Sequence, residues 1–107
     1  MAKLAGLSDW RVAYQSAGAT PEPWLGPEAG ALLTELAARG HRAFLIVPFG
    51  FVCDHVEILY DIDVECQALA RRLGIQLERT RSLNDDPQLV AAVADVVRTA
   101  AAQRGWI

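Results

Sequence analysis

The chain has 107 residues, enough for one domain, and its 52% of hydrophobic against 21% of charged residues provides for a core and argues against disorder. The net charge of −3 argues against nucleic-acid binding, which normally requires a basic surface. Two cysteines are too few for a disulfide scaffold or a four-thiolate cluster, so we expect a reduced, cytoplasmic, globular domain.

The first half of the chain predicts a strand, a loop, a helix and a second strand. Residues 10–16 are rich in aromatic and β-branched side chains and indicate a short strand. Residues 18–27 hold three prolines and two glycines and must form a loop, in which Trp24 either stacks on a flat apolar ligand or caps the core. Helix formers predict a helix over 28–39. The apolar run over 42–49, too short to span a membrane, predicts a buried strand.

The second half predicts a helix, a strand and a last helix. An aspartate at the cap position and a glycine at the end indicate a helix of about five turns over residues 54–73. A third short strand follows over 75–79. The run Asn84-Asp-Asp-Pro87 places an acid before a proline, which is a strong start signal for a helix that continues to about Arg104.

This alternation of strands and helices indicates the fold class. It predicts an α/β fold, a three-layer Rossmann-like arrangement in which a parallel sheet of about three strands is flanked by helices. Ligands of such sheets bind at the carboxyl ends of the strands. We therefore expect a site near Gln15, Ser16 and residues 50–55.

Carboxylates follow one side of the helix predicted over residues 54–73. At about 100° per residue, four of them share a stripe roughly 80° wide: Asp54, Glu57, Asp61 and Glu65. A core face (Ile58, Leu59, Ile62, Cys66, Leu69 and Leu73) and a solvent face (Asp63, Gln67 and Arg71) are predicted on either side.

Two interpretations of this stripe remain open. Like charges at i,i+4 cost about 0.2–0.5 kcal/mol per pair, and no Lys or Arg occurs between residues 43 and 70. The stripe is either a solvated acidic face or a row of oxygen ligands that binds or passes a divalent cation. His55 is either a base or further ligand of that row or a structural residue of the helix cap. Cys53 and Cys66 are predicted to be small buried hydrophobes, because neither belongs to a CxxC motif. Motifs for a dinucleotide, a P-loop or a serine hydrolase are absent.

Four segments of the chain occur together in a known order and spacing. They are Tyr14-Gln-Ser16, Pro21-Glu-Pro-Trp-Leu-Gly-Pro27, Val47-Pro-Phe-Gly-Phe-Val-Cys-Asp-His-Val-Glu-Ile-Leu-Tyr-Asp-Ile-Asp-Val-Glu-Cys66 and Ser82-Leu-Asn-Asp-Asp-Pro87. Together they resemble the C-terminal part of ferrochelatases, and the resemblance covers nearly the whole chain. That family inserts ferrous iron into a porphyrin held between two similar Rossmann-like halves.

The resemblance implies roles for individual residues. Glu57 matches the active-site glutamate, which is paired with a histidine across the porphyrin. Asp61 and Glu65 match the acidic residues that continue along the same helix, to which the resemblance assigns metal delivery or proton removal. In the family, that helix contains a π-type widening. Residues matching the porphyrin pocket are Gln15, Ser16, Trp24 and Phe51. The start of the helix motif is matched by Asp54 and His55, as supporting residues.

The chain also departs from the family pattern. The Ser-Ala-His segment with the catalytic histidine is absent, and so is the N-terminal half that forms the opposite wall. Residues 1–107 are therefore expected to be a single C-terminal domain of a longer two-domain enzyme, inactive alone, with ferrous iron as substrate and no iron–sulfur cluster.

Partners and alternatives follow from the same reasoning. The expected partners are a porphyrin, of either the protoporphyrin or the coproporphyrin type, and the missing N-terminal half. An exposed apolar face could also mediate a homo-oligomer. The alternatives are a non-catalytic half-domain that binds metal or dimerises, and a short chelatase that acts as a homodimer. Location is expected in the cytoplasm, with or without peripheral attachment to a membrane.

Overall fold

The structure is a computed structural model that describes residues 1–15 and 21–107. Within them lie four α-helices: α1 (Ala29–Ala38), α2 (Val56–Tyr60), α3 (Gln67–Leu73) and α4 (Pro87–Gln103). The strands are β1 (Ala43–Ile46) and β2 (Gln76–Arg79). A π-helical turn, Asp61–Cys66, joins α2 to α3 and is called the π segment below.

A parallel pair of strands forms the sheet. β1 and β2 align from Ala43 opposite Gln76 to Ile46 opposite Arg79. Parallel strands need a crossover connection, and the helix α2–π segment–α3 supplies it. The core lies where α1 and α3 meet one face of this sheet, and its buried members are Leu33, Ala37, Cys66, Ala70, Ile75 and Leu77. The predicted α/β class, with a parallel sheet flanked by helices, is confirmed.

The strand predicted over residues 10–16 is not formed in the described part of the chain. Tyr14 makes one isolated parallel bridge with Glu28, in which the Tyr14 amide donates to Pro27 O at 2.9 Å and the Tyr14 carbonyl accepts from Ala29 N at 2.8 Å. The neighbouring Trp10 and Val12 are exposed, so their alternation has no buried face to stabilise a strand. The described sheet therefore has two strands where about three were expected. Ser16, at the end of that predicted strand, lies outside the described residues.

The three predicted helices are present with shifted ends. α1 begins after Glu28, and α4 begins after Asp86, whose carboxylate accepts from Gln88 N at 2.9 Å. The central helix begins after His55 rather than at Asp54, because the His55 ring accepts the bond from the first turn. It ends at Gly74, which has the left-handed φ of 65° that favours glycine.

The residues buried on each face of the central helix differ from those expected for a regular α-helix. Ile58 and Ile62 are fully buried, as predicted, but Leu59 is 44% exposed and does not belong to the core face. Gln67, expected on the solvent side, donates from Nε2 to Leu77 O in β2 at 2.9 Å. A π turn bonds residues i and i+5 and therefore advances less than 100° per residue. Angles extrapolated across Asp61–Cys66 are consequently wrong.

The longest helix, α4, is only loosely integrated into the core. None of its residues is buried, and its exposed valines are Val90, Val93, Val96 and Val97. No helix among the described residues has the length and apolar character needed to cross a bilayer.

Candidate functional site

The start of the central helix is held by His55. Its Nδ1 accepts a hydrogen bond from Glu57 N at 3.3 Å, and its ring meets Phe51 edge-on, with 4.2 Å between ring centroids and 79° between planes. With Nδ1 as acceptor, the neutral imidazole carries its proton on Nε2. In the described part of the chain, that Nε2 is buried without a hydrogen-bond partner. His55 thus anchors the backbone of Glu57, while the Glu57 side chain is exposed.

A cleft of about 390 Å³ lies between the π segment and the residues around the start of α1. It is lined by Gln15, Glu28, Gly30, Asp61, Glu65, Cys66, Leu69 and Arg72. Three of the predicted site residues, Gln15, Asp61 and Glu65, are therefore brought together on one surface. Gly30 lies close to α3: a Cβ built on it would be 3.4 Å from the Leu69 side chain.

The cleft has an anionic character that acts on Cys66. Burial raises the pKa of the Cys66 thiol, and the nearby charges of Asp61, Glu65 and Glu28 raise it further. A neutral buried thiol is a packing group rather than a metal ligand at neutral pH. The prediction that Cys66 is a buried hydrophobe is confirmed, whereas Cys53 is exposed and its prediction is wrong.

Asp54 does not belong to the carboxylate stripe. Its Oδ1 accepts from Ser82 Oγ at 2.7 Å and from an Arg79 nitrogen at 3.2 Å, and its Oδ2 accepts from Asn84 Nδ2 at 3.2 Å. The hydrogen bonds from Ser82 and Asn84, together with Arg79, lower the pKa of the Asp54 carboxyl. The sequence places Asp54 before the helix, so its side chain turns to the loop after β2 instead of joining the other acids.

A second polar cleft, of about 340 Å³, lies on the other side of the π segment. Here Arg79 donates from Nε to Asp63 Oδ1 at 2.6 Å and from NH2 to Asp63 Oδ2 at 2.8 Å. These bonds lower the pKa of Asp63. Asp63 was predicted on the solvent face, and the structure corrects this: it is tied to the end of β2.

The remaining predicted residues are dispersed. The side chains of Glu57, Trp24 and Phe51 are exposed and do not line the cleft that contains Asp61 and Glu65. Ser16 lies outside the described residues. Over residues 1–15 and 21–107, no three His, Cys, Asp or Glu side chains are close enough to hold one metal ion. The metal and catalytic assignments of Glu57, Asp61 and Glu65 therefore stay predictions.

Sequence reasoning missed three charged residues near these clefts: Glu28, Arg72 and Arg79. Glu28 precedes a predicted helix and looks like an ordinary early acid, and Arg72 lies in a last turn where basic residues are common. Arg79 had a usable signal, because it stands at the carboxyl end of a strand, where parallel sheets place their functional residues.

Comparison with known proteins adds independent information. The family described as Ferrochelatase matches residues 1–101. The chain is 58% identical over 97 residues to a ferrochelatase of Herpetosiphon aurantiacus, covering 91% of this chain and 32% of that protein. It is 47% identical over 100 residues to a ferrochelatase of Thermus thermophilus, covering 94% and 32%. A coproporphyrin III ferrochelatase of Anoxybacillus flavithermus is 47% identical over 98 residues, covering 91% and 31%. The chain thus spans about a third of the length of these relatives.

Proposed function

This chain belongs to the ferrochelatase family, and on that premise we propose that it forms the C-terminal wall of an enzyme that inserts ferrous iron into a porphyrin. Residues 1–107 would act as one domain of that lyase. The observation that carries the proposal is the cleft in which Asp61 and Glu65, on the π segment, face Gln15. It combines hard oxygen donors with a residue that matches the family's porphyrin pocket.

The chemistry requires two events at the macrocycle: two pyrrole N–H protons leave and a divalent cation enters. A carboxylate can accept a proton as a general base or exchange onto the cation as a ligand. We assign to Glu57 the acceptance of a pyrrole proton. We place Glu57 also in the path of the metal, with Asp61 and Glu65 as the following oxygen ligands. The second proton acceptor would be the histidine that the family pairs with this glutamate and that this chain does not contain.

Two exposed aromatic side chains suit a flat macrocycle. Trp24 and Phe51 are both exposed, and Phe51 is held in place by its edge-on contact with His55. We assign these two, with Gln15 and Ser16, to porphyrin binding. The names of the relatives include one that acts on coproporphyrin III, so the substrate class is a tetrapyrrole of the protoporphyrin or coproporphyrin type. Catalysis would take place in the cytoplasm.

The opposite wall of the substrate cleft is assigned to the rest of the longer protein, because this chain spans about a third of its relatives. Metal insertion by the 107-residue chain alone should therefore be negligible. A chimera in which this chain replaces the matching segment of the Herpetosiphon aurantiacus enzyme should insert Fe²⁺ into porphyrin, followed by the absorbance of the metallated product.

A matched pair of carboxylate variants makes this test specific. In the chimera, Glu57→Gln should lower turnover by at least a hundredfold, in the range expected for loss of a general base. Glu35→Gln removes an exposed carboxylate of α1 and should leave turnover unchanged. Equal turnover in the two variants would contradict the role of Glu57.

A homodimeric chelatase is the alternative that the exposed valines of α4 favour. In that arrangement a second copy would supply the opposite wall. Turnover by the 107-residue chain alone, lost in Glu57→Gln, would establish this alternative and overturn the requirement for the rest of the protein.

A further inference from the structure

Arg79 contacts two acids that flank the stretch between Glu57 and Asp61. At the carboxyl end of β2, its guanidinium binds both oxygens of Asp63 in the π segment, at 2.6 and 2.8 Å. The same group reaches Asp54, just before the helix, at 3.2 Å. Its side chain is only 15% exposed. The guanidinium of Arg79 thus connects Asp54, before α2, to Asp63, in the middle of the π segment.

We propose that Arg79 is a positioning residue, which holds Asp54 and Asp63 and thereby fixes the direction in which Glu57 and Asp61 present their carboxylates. Arg79 itself does not line the cleft that contains Asp61 and Glu65. The inference rests on the proposed function in one respect: it takes those carboxylates as the groups that handle the metal.

The geometry of the ion pair supports positioning rather than simple neutralisation. Two parallel N–H···O bonds to one carboxylate fix its orientation as well as its distance. The backbone of Arg79 is itself paired opposite Ile46 in the sheet. Arg79 therefore fixes the rotation of the π segment about its axis relative to the sheet of β1 and β2. Such external support matters because π turns are rare and occur mostly as single turns within α-helices.

A second contact set secures the other end of the bridge. Asn84 Oδ1 accepts from Asp54 N at 2.8 Å, while Ser82 Oγ, in a residue only 4% exposed, donates to Asp54 Oδ1. Asn84 has a φ of 51°, a left-handed conformation that asparagine tolerates better than most residues. The loop after β2 thus holds Asp54 from two directions, so Arg79 ties Asp63 to a residue that is already fixed in place.

Charge and positioning predict opposite effects of removing Arg79. Loss of a nearby positive charge alone would strengthen the binding of a divalent cation by neighbouring carboxylates. Loss of a positioning contact would weaken it, and partners that orient metal ligands typically contribute 10- to 100-fold in affinity. The direction of change therefore identifies the role.

The test measures Co²⁺ affinity of the 107-residue chain by calorimetric titration in wild type, Arg79→Gln and Arg81→Gln. Arg81 is the matched control, because it is two residues away and its side chain is 71% exposed. Its ion pair with Asp85 is long, at 3.8 Å, and lies at the surface. We expect about tenfold weaker binding in Arg79→Gln and less than a twofold change in Arg81→Gln.

Further variants separate the charge of Arg79 from its two-pronged geometry. Arg79→Lys, which keeps the charge but not the paired hydrogen bonds, should also weaken binding. Asp63→Asn should match Arg79→Gln, and the double variant should lose no more than either single one. Where wild type binds Co²⁺, unchanged or tighter binding in Arg79→Gln would overturn the proposal.

Amide hydrogen exchange provides a readout that needs no metal. In Arg79→Gln, the amides of residues 57–66 should exchange at least tenfold faster relative to the core of α3, whereas Arg81→Gln should leave the ratio unchanged. Equal exchange in both variants would overturn the positioning role. If wild type binds no Co²⁺ but Arg79→Gln loosens these amides, the positioning role is supported and the assignment of the carboxylates to the metal is wrong.

Discussion

Asp54 and Asp63 are held ionised by the groups around them. Hydrogen bonds from Ser82 and Asn84, with the charge of Arg79, lower the pKa of Asp54, and the Arg79 fork lowers that of Asp63. In the unfolded chain both carboxyls return towards their ordinary value of 3.8. The unfolded state therefore binds more protons than the folded state as the pH falls below that value.

This linkage predicts an acid-dependent loss of stability. The contribution of each aspartate is complete above its unfolded pKa and is lost as the pH falls through the lower folded pKa. At neutral pH, Asp63→Asn should lower the free energy of unfolding by about 1 kcal/mol. Between about pH 5 and pH 3, urea unfolding should show a flatter pH dependence in this variant than in wild type. Asp95→Asn, which removes an exposed carboxylate 3.7 Å from Arg98, is the control and should keep the wild-type dependence. The same slope in both variants would contradict the assigned role of Asp63.

At the scale of elements, stability should depend on the central helix far more than on α4. Ile62→Ala removes a side chain that is 1% exposed and should lower the free energy of unfolding by about 2–5 kcal/mol. Val93→Ala removes an exposed methyl pair from α4 and should change it by less than about 0.5 kcal/mol. Chemical denaturation followed by circular dichroism compares the two. Comparable losses in both variants would place α4 within the core.

The elements that local patterns specify were predictable, and those that depend on partners were not. Prolines, glycines and caps marked the helices to within one or two residues, because these signals act through the local backbone. The strand expected near Tyr14 failed since a strand also needs a neighbour. The turns of Asp63 and Gln67 towards β2 depend on the π segment, whose different angular step a period of 100° cannot reveal. In the candidate site, Asp61 and Glu65 were predicted on one side of the helix and line one cleft, but no sequence pattern predicted that Gln15 would lie beside them. Asp54 was predicted in the same stripe and instead turns towards Arg79.

At the scale of the whole molecule, the two faces of the π segment have different chemistry. Asp63, on one side, is neutralised by a fork from Arg79. On the other side, Asp61 and Glu65 share a cleft with Glu28, opposed by Arg72. The helix is thus anchored to the sheet by one face and presents carboxylates by the other. Along this short segment, the acid that anchors the helix, Asp63, thus alternates with the two acids that line the cleft, Asp61 and Glu65.

The presented carboxylates should couple metal binding to folding of the entire chain. A ligand that binds only the folded form stabilises it by RT ln(1 + [L]/Kd), about 2.7 kcal/mol at a hundredfold excess over Kd. Because no three metal-binding side chains cluster in the described residues, affinity should be weak and a change in Tm should require high metal concentration.

Thermal unfolding with and without Co²⁺ should show a rise in Tm for wild type and a smaller rise for the double variant Glu57→Gln with Asp61→Asn. The double variant Glu35→Gln with Asp95→Asn removes the same charge from exposed positions of α1 and α4 and should keep the wild-type rise. An equal rise in all three proteins would mean that the carboxylates form only a solvated acidic face. A rise that is reduced equally in both double variants would mean that Co²⁺ responds to net charge rather than to these carboxylates.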